Sequence, residues 1–205
     1  MGKLEANKQQ KLTSLLNTAF NLFTTQGVTK TSIAEISQKA GIAKGTFYLY
    51  FKDKYDIRNR LISHESSKLF KNAVADLEEF SIEKDEQIGF EEKIIFIINH
   101  IVDELNSNQT LLTFISKNLS WGIFKEALTT KVASDDINFK DVYYEMINAE
   151  DISLEEPEIM LFLIVELVSS TCYSAILYKE PADIDTIKPY LFKTVRAIIR
   201  EHTIR

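Results

Sequence analysis

Apolar residues recur every three or four positions along most of the chain, and this spacing predicts a protein built from helices. A first helix is predicted over residues 8–26, and Gly27 follows where a helix C-cap would lie. Ser32 and Glu35 have the spacing of a capping box, which predicts the start of a second helix. Gly41 ends that helix after about two turns.

A third short helix is predicted over residues 43–51, and Asp53 can cap a fourth that continues towards Phe80. A glycine-bearing turn of three or four residues separates the second helix from the third. Short helices joined in this way are typical of a helix-turn-helix unit. The pattern therefore predicts a first domain over residues 1–53 and a second domain over residues 54–205.

The second domain also has helical spacing throughout, so the whole chain is expected to be all-α, with about nine helices. Ser153 and Glu156 have capping-box spacing, and Pro157 and Pro189 each fall within a first turn. After the fourth helix, further helical segments are predicted at about 91–106, 109–117, 120–133, 138–149, 153–179 and 185–202.

The composition agrees with a helical protein of the cytoplasm. Among 205 residues there are six glycines and three prolines, too few for a turn-rich β fold. The single cysteine, Cys172, excludes an internal disulfide and fits a reducing compartment. The amino terminus has no apolar signal core. Glu166 interrupts the apolar run 159–177, which we interpret as a buried helix and not as a membrane span.

Charge is distributed unevenly along the chain. Residues 1–60 contain ten lysines and arginines against four acidic residues, whereas residues 61–205 contain 14 against 26. A basic amino-terminal part on an acidic body indicates that the first 60 residues meet a polyanion. An accidental cluster of lysines is the alternative explanation of the same numbers.

The third predicted helix has two different faces. At 100° per residue, one face suits packing against the first two helices and the other suits insertion into the major groove of DNA. The buried face would hold Ala43, Phe47 and Phe51, the open face Gly45, Thr46, Tyr48 and Leu49, and the flanks Lys44 and Tyr50. An exposed leucine is unfavourable in water, but Leu49 could meet a thymine methyl group.

The stretch TSIAEISQKAGIAKGTFYLYFKDKYDI, residues 31–57, resembles the DNA-binding domain of the TetR family of bacterial transcriptional repressors. The shared features are the small residues after the turn, the aromatic-Tyr-x-Tyr/His-Phe pattern and the lysine that follows. At the level of motif the resemblance covers about residues 8–60. Beyond them, the chain resembles the family only in its helical architecture.

The resemblance implies a set of DNA contacts. Base edges or nearby phosphates would be met by Lys44 and Thr46, with Gly45 and Leu49 beside them, and phosphates by Tyr48, Tyr50, Lys54 and the helix end at Ser32. Tyr50 stands where many members have histidine, and packing against the first or fourth helix is its alternative role. For Tyr48 the packing alternative is weaker. Ala34 stands where some members place a base-reading arginine, so less reading is expected from the second helix.

The resemblance also implies that the second domain binds a small effector and forms a homodimer. The dimer would use the helices near 153–179 and 185–202, since the first of these is apolar on nearly all faces. Burial of that helix within one chain is the alternative. An apolar or aromatic effector would contact Phe96, His100, Phe114, Trp121, Phe124, Tyr144 and Tyr173, although ordinary core packing explains each of these better when taken alone.

The resulting hypothesis is a cytoplasmic, dimeric repressor that binds a roughly palindromic operator and leaves it when an effector binds. A regulator or activator that works without a ligand would need the same head and dimer. The chain has no HExxH, paired CxxC or phosphate-loop motif, so no catalysis, metal or cofactor is expected.

Overall fold

A computed structural model describes residues 2–84, 88–118, 138–150 and 152–204. These residues form nine helices, and their only extended pairing is an isolated bridge between Leu154 and Thr203. The helices are α1 Lys3–Thr25, α2 Ile33–Lys39, α3 Lys44–Phe47, α4 Lys54–Lys84, α5 Phe90–Ser107, α6 Gln109–Asn118, α7 Phe139–Asn148, α8 Pro157–Leu177 and α9 Ile184–His202. The predicted all-α fold is confirmed, and the helix predicted over 120–133 lies outside the described residues.

The described residues divide into two units, and the division falls within α4 between Ser67 and Lys68. Among the described residues, the first unit contains 2–67 and Asn118, and the second contains Lys68–Lys117 and the residues from 138 onwards. The domain boundary predicted between residues 53 and 54 stays a prediction.

The first unit packs α2 against both α1 and α3. Its main buried side chains are Leu15, Leu16, Ala19, Leu22, Phe23, Ile36, Phe47, Phe51, Ile57 and Leu61. The predicted caps are present: the Ser32 hydroxyl accepts a hydrogen bond from the Glu35 amide at 3.1 Å, and the Asp53 carboxylate accepts from the amides of Tyr55 and Asp56. These caps satisfy amides that a helix start leaves without partners.

The second unit is centred on α8 and α9, which pack against each other, with α5 packed on both. Phe90, Val102, Met160 and Val195 are among its completely buried side chains. Cys172 also lies in this core, and burial raises the pKa of its thiol to about 12. The thiol therefore stays protonated at neutral pH and behaves as a small apolar group.

The start of α8 differs from the prediction. The helix begins at Pro157, and Glu156 before it has a left-handed backbone with φ 45° and makes no side-chain cap. The capping box predicted from Ser153 and Glu156 is therefore wrong. Residues 153–155 pair instead with the end of α9, where the Ile204 amide donates to the Ser153 carbonyl at 2.9 Å. Main-chain pairing with a distant segment competes with helix formation here.

By length and composition, α8 is the one described helix that would suffice to cross a membrane. Only a third of its most apolar 18-residue window is buried. Ile159 is 50% exposed and Leu163 is 41% exposed, and Glu166 is exposed between more apolar positions. Within the described residues, α8 is not buried on all sides by its own chain, which was the alternative considered from the sequence.

Two arginines of α9 form ion pairs with two glutamates at the start of α5. Arg196 donates to Glu91 at 2.8 Å and also to Glu92, and Arg200 donates to both carboxylate oxygens of Glu91 at 2.9 Å. The hydrogen bond from Arg200, followed by that from Arg196, lowers the pKa of Glu91. A lowered pKa means that this network stabilises the fold above the unfolded-state pKa and is lost as pH falls through the folded-state pKa.

We therefore expect Glu91→Gln to lower the free energy of unfolding by about 1 kcal/mol at pH 7, and by less at an acid pH below the lowered pKa of Glu91, where the wild-type carboxylate becomes protonated. Urea unfolding at both pH values, at one fixed protein concentration, measures the difference. An equal decrease at the two pH values would show that the ionised carboxylate is not what stabilises this contact.

Candidate nucleic-acid interface

The segment that follows the α2–α3 turn is shorter as a helix than predicted. Regular α-helix covers only Lys44–Phe47, and residues 48–50 continue as turns. Ala43 is the N-cap with an extended backbone, and the amides of Leu49 and Tyr50 donate to carbonyls three residues back. The helix predicted over 43–51 is therefore wrong in length, because the hydrogen-bond ladder tightens after Phe47. We call residues 44–50 the reading segment.

Two neighbouring aromatic rings hold the reading segment onto the head. Phe47 is completely buried and Phe51 is 1% exposed, with their ring centroids 5.5 Å apart. The Arg60 guanidinium lies 5.4 Å from the centroid of the Phe51 ring. The burial predicted for both phenylalanines is confirmed. Ala43 is exposed, so its predicted burial is wrong, since its extended backbone removes it from the helical face.

The other side of the reading segment faces solvent. Tyr48 is 51% exposed and Leu49 is 81% exposed, while Lys44 and Gly45 are exposed and Thr46 is half-buried. A Cβ atom added to Gly45 would meet no described atom within 4 Å. Packing within the described head therefore does not require a glycine at this position. A small residue on an open face suits close approach of a partner surface.

Tyr50 is half-buried and tied to the first helix. Its hydroxyl donates to the main-chain carbonyl of Lys8 in α1 at 3.3 Å. This contact supports the packing role that the sequence left open for Tyr50. A phosphate contact by Tyr50 stays a prediction.

The Lys54 side chain forms hydrogen bonds with the loop between α1 and α2. Its ammonium donates to the carbonyls of Thr29 at 2.9 Å and Thr31 at 3.2 Å. These bonds place a half-buried cation beside the residue that precedes Ser32. The role of Lys54 as a clamp on the DNA backbone stays a prediction, and so does the contact predicted at Ser32.

A polar network that the sequence did not predict holds the same loop. The Gln26 amide donates to Glu35 at 2.8 Å and to the Thr31 hydroxyl at 3.3 Å, and that hydroxyl donates to the Gly27 carbonyl at 2.8 Å. The hydrogen bond from Gln26, followed by contacts with Lys39, lowers the pKa of Glu35. The spacing of Ser32 and Glu35 predicted the involvement of Glu35 at the start of α2. It did not predict the partner Gln26, because a glutamine near a helix end has no distinctive sequence pattern.

The structure describes five of the residues predicted to line an effector pocket: Phe96, His100, Phe114, Tyr144 and Tyr173. Phe114 is buried, and Phe96 is half-buried with its ring 5.1 Å from that of Phe80. Tyr144 packs edge-on against Tyr143. The Tyr173 hydroxyl lies 3.0 Å from that of Tyr178. Trp121 and Phe124 lie outside the described residues.

His100 pairs with an aspartate of another helix, and not with Asp103 one turn later on its own helix. Its Nδ1 atom lies 2.9 Å from the carboxylate of Asp76 in α4. Asp103 instead accepts hydrogen bonds from Lys188 and Asn99. His100 therefore links α4 to α5, and its role in a pocket stays a prediction.

The head as a whole defines a helix-turn-helix domain: a short reading segment with an open face, held by buried phenylalanines and flanked by lysines. Residues 15–61 match the family model described as bacterial regulatory proteins, tetR family. This head is therefore a TetR-family domain, and the resemblance predicted from the sequence is confirmed.

Two curated relatives match part of this chain. The HTH-type transcriptional regulator AcrR of Shigella flexneri is 40% identical over 55 residues, 27% of this chain and 26% of that protein. The fatty acid metabolism regulator protein of Bacillus subtilis is 28% identical over 78 residues, 38% of this chain and 40% of that protein. The chain thus spans between about a quarter and two fifths of the length of these relatives.

Solved structures extend the likeness of fold to nearly the whole chain. The transcriptional regulator FadR from Bacillus subtilis, in complex with stearoyl-CoA, has a TM-score of 0.61 at 18% identity and covers 91% of this chain and 98% of its own. A TetR-family transcriptional regulator from Haemophilus influenzae has a TM-score of 0.57 at 18% identity, covering 99% and 100%. At such identities the likeness establishes the fold alone.

Proposed function

We propose that this protein is a transcriptional repressor that binds double-stranded DNA as a homodimer, with the reading segment in the major groove. The observation that carries the proposal is the exposed pair Tyr48 and Leu49, which lies between the buried Phe47 and Phe51 along the chain. An exposed leucine flanked by a tyrosine and lysines is unfavourable in water and useful against base edges and phosphates. The excess of basic residues in the first 60 positions supports the same partner.

Support for the dimer comes from apolar surface on the last two helices. Ile159 and Leu163 of α8 are exposed one turn apart, and Tyr190 of α9 is 71% exposed. Two copies of such a surface would bury each other around a two-fold axis. Two reading heads related by that axis would match a roughly palindromic operator.

Selection of duplexes from a random-sequence pool tests the proposed DNA binding without knowledge of the operator. We expect the enriched sequences to contain an inverted repeat, since a two-fold symmetric dimer presents two identical heads. Failure to enrich any sequence above the starting pool would contradict the proposal.

We further propose that a small apolar or aromatic effector bound in the second unit releases the DNA. The unit has an apolar helical interior, and α4 belongs to both units, so α4 is the element through which binding would reach the head. A ligand that favours one conformation weakens DNA binding by its difference in affinity between the two states. A regulator that works without a ligand is the alternative.

The first compound to test is a long-chain acyl-CoA, because the Bacillus subtilis FadR structure holds stearoyl-CoA and the Bacillus subtilis relative is a fatty acid metabolism regulator. Stearoyl-CoA should raise the melting temperature and release the selected duplex, whereas CoA alone should do neither. The absence of both effects would exclude this class of effector, and the DNA-binding proposal would stand on its own test.

Leu49→Ala is expected to change operator preference more than stability. The side chain is 81% exposed, so the free energy of unfolding should change by less than about 0.5 kcal/mol. Removal of a thymine-methyl contact should cost roughly 1 kcal/mol at one base position. Competition binding over single-base variants of the selected duplex, with thermal unfolding alongside, measures both. Reduced stability with unchanged preference would place Leu49 in the protein core.

A further inference from the structure

We propose that the amino-terminal turns of α1 form a second DNA-contacting surface, on which Lys8 and Lys11 bind phosphates beside the duplex region met by the reading segment. This inference rests on the proposed function, since it concerns the same bound duplex. Both lysines lie outside residues 15–61, the part of the chain that matches the family model.

The geometry of Tyr50 places these turns next to the reading segment. The Tyr50 hydroxyl donates to the Lys8 carbonyl at 3.3 Å, and Tyr50 ends the segment that exposes Tyr48 and Leu49. The Tyr50 side chain therefore connects the Lys8 main chain to the segment in which Tyr48 and Leu49 are proposed to face DNA. Lys11 lies three residues further along α1, so its side chain is the neighbour of Lys8 on the helix surface.

The charge of this surface suits a polyanion. No acidic residue occurs between Glu5 and Glu35. Glu5 is exposed three residues before Lys8, and the other exposed polar positions of α1 near the two lysines are uncharged amides and hydroxyls: Asn7, Gln10, Thr13 and Asn17. Within the described ranges, no carboxylate lies within ion-pair distance of either exposed ammonium. Phosphate oxygens of the DNA backbone would supply the missing counter-charge without breaking a bond inside the protein.

Lys54 differs from Lys8 and Lys11 in the hydrogen bonds that its ammonium makes within the protein. Its ammonium already donates to the carbonyls of Thr29 and Thr31, so much of its hydrogen-bonding capacity is used within the head. Within the part of the chain that the structure describes, the ammonium groups of Lys8 and Lys11 make no side-chain hydrogen bond, so their donors are available to phosphates. In this arrangement Tyr50 acts as a positioning residue, because its hydroxyl holds the α1 backbone beside the reading segment.

The test compares the wild type with the double variant Lys8→Gln, Lys11→Gln on a duplex selected by the wild type from a random pool. Affinity measured over a salt series should fall in the variant. The slope of log K against log salt should become shallower by about 0.9 for each phosphate that the variant no longer neutralises. The ranking of related sequences should stay unchanged, since phosphate binding carries no base information.

Lys68→Gln is the matched control. Lys68 is an exposed lysine of α4, and fourteen residues of helix place it about 21 Å along the axis from Lys54. Its replacement should leave the slope unchanged. An unchanged slope in the double variant, or an equal change in the control, would overturn the inference while leaving the proposed function intact. If the wild type enriches no duplex, the proposed function itself fails.

Tyr50→Phe tests the positioning role separately. If the hydroxyl holds Lys8 in place, then Lys8→Gln should weaken DNA binding by a smaller factor in the Tyr50→Phe background than in the wild type. Equal factors in the two backgrounds would show that Tyr50 does not position Lys8. Circular dichroism of each variant verifies that the head remains folded.

Discussion

Replacing Phe47 with alanine is expected to unfold the amino-terminal head and to abolish specific DNA binding. Phe47 is completely buried, and its ring contacts Phe51 at a centroid distance of 5.5 Å and Tyr48 at 5.6 Å. Truncation of a buried phenylalanine costs about 3–5 kcal/mol, a large share of the stability of a small helical unit. Urea unfolding and binding to the selected duplex measure the two effects.

Two further variants make this prediction specific. Phe47→Leu retains most of the buried volume and should keep a folded head with partly reduced stability. Tyr48→Ala removes a half-exposed ring and should weaken DNA binding while leaving the fold in place. If Phe47→Ala is as stable as the wild type, the ring is not what anchors the reading segment.

The second large effect is expected from Leu163→Asp, which should convert the proposed dimer into a monomer of 23.6 kDa. Leu163 is 41% exposed on α8, one helical turn from the exposed Ile159. A carboxylate there would be desolvated without a partner on dimerisation, which costs several kcal/mol. Separation of the two linked heads should then lower operator affinity on the order of 100-fold. Sedimentation velocity and duplex titration measure the two changes.

Ile82→Asp is the control for the dimer prediction. Ile82 is 80% exposed on α4, so the same kind of substitution there adds the same charge to a different helix. This variant should sediment as the wild type does. A dimer that survives Leu163→Asp and dissociates with Ile82→Asp would place the interface on α4 and not on α8 and α9.

Local rules accounted for much of the head. Helical spacing, the cap at Ser32 and the cap at Asp53 depend on residues within four positions of one another, so a pattern in the sequence contains them. The burial of Phe47 and Phe51 followed from the same periodicity. The exposure of Leu49 followed as well, because turns after residue 47 preserve the outward direction of that side chain.

The sequence did not predict the interactions between residues that are far apart along the chain. The capping box predicted at Ser153 does not form, because the Ser153 carbonyl accepts a hydrogen bond from the amide of Ile204, which follows the end of α9. His100 of α5 pairs with Asp76 of α4, and not with Asp103 of its own helix. The contact of Tyr50 with Lys8 joins residues 42 positions apart. No local pattern distinguishes such partners, since they depend on how helices pack.

The central claim, that this head binds a specific DNA sequence, is tested most directly by one titration. The wild type is titrated against the selected duplex and against a scrambled duplex of equal length and base composition, over a series of salt concentrations. We predict binding to the selected duplex at least about 10³-fold tighter, with log K falling linearly as log salt rises. Equal affinity for both duplexes, or no salt-sensitive binding to either, would contradict the account.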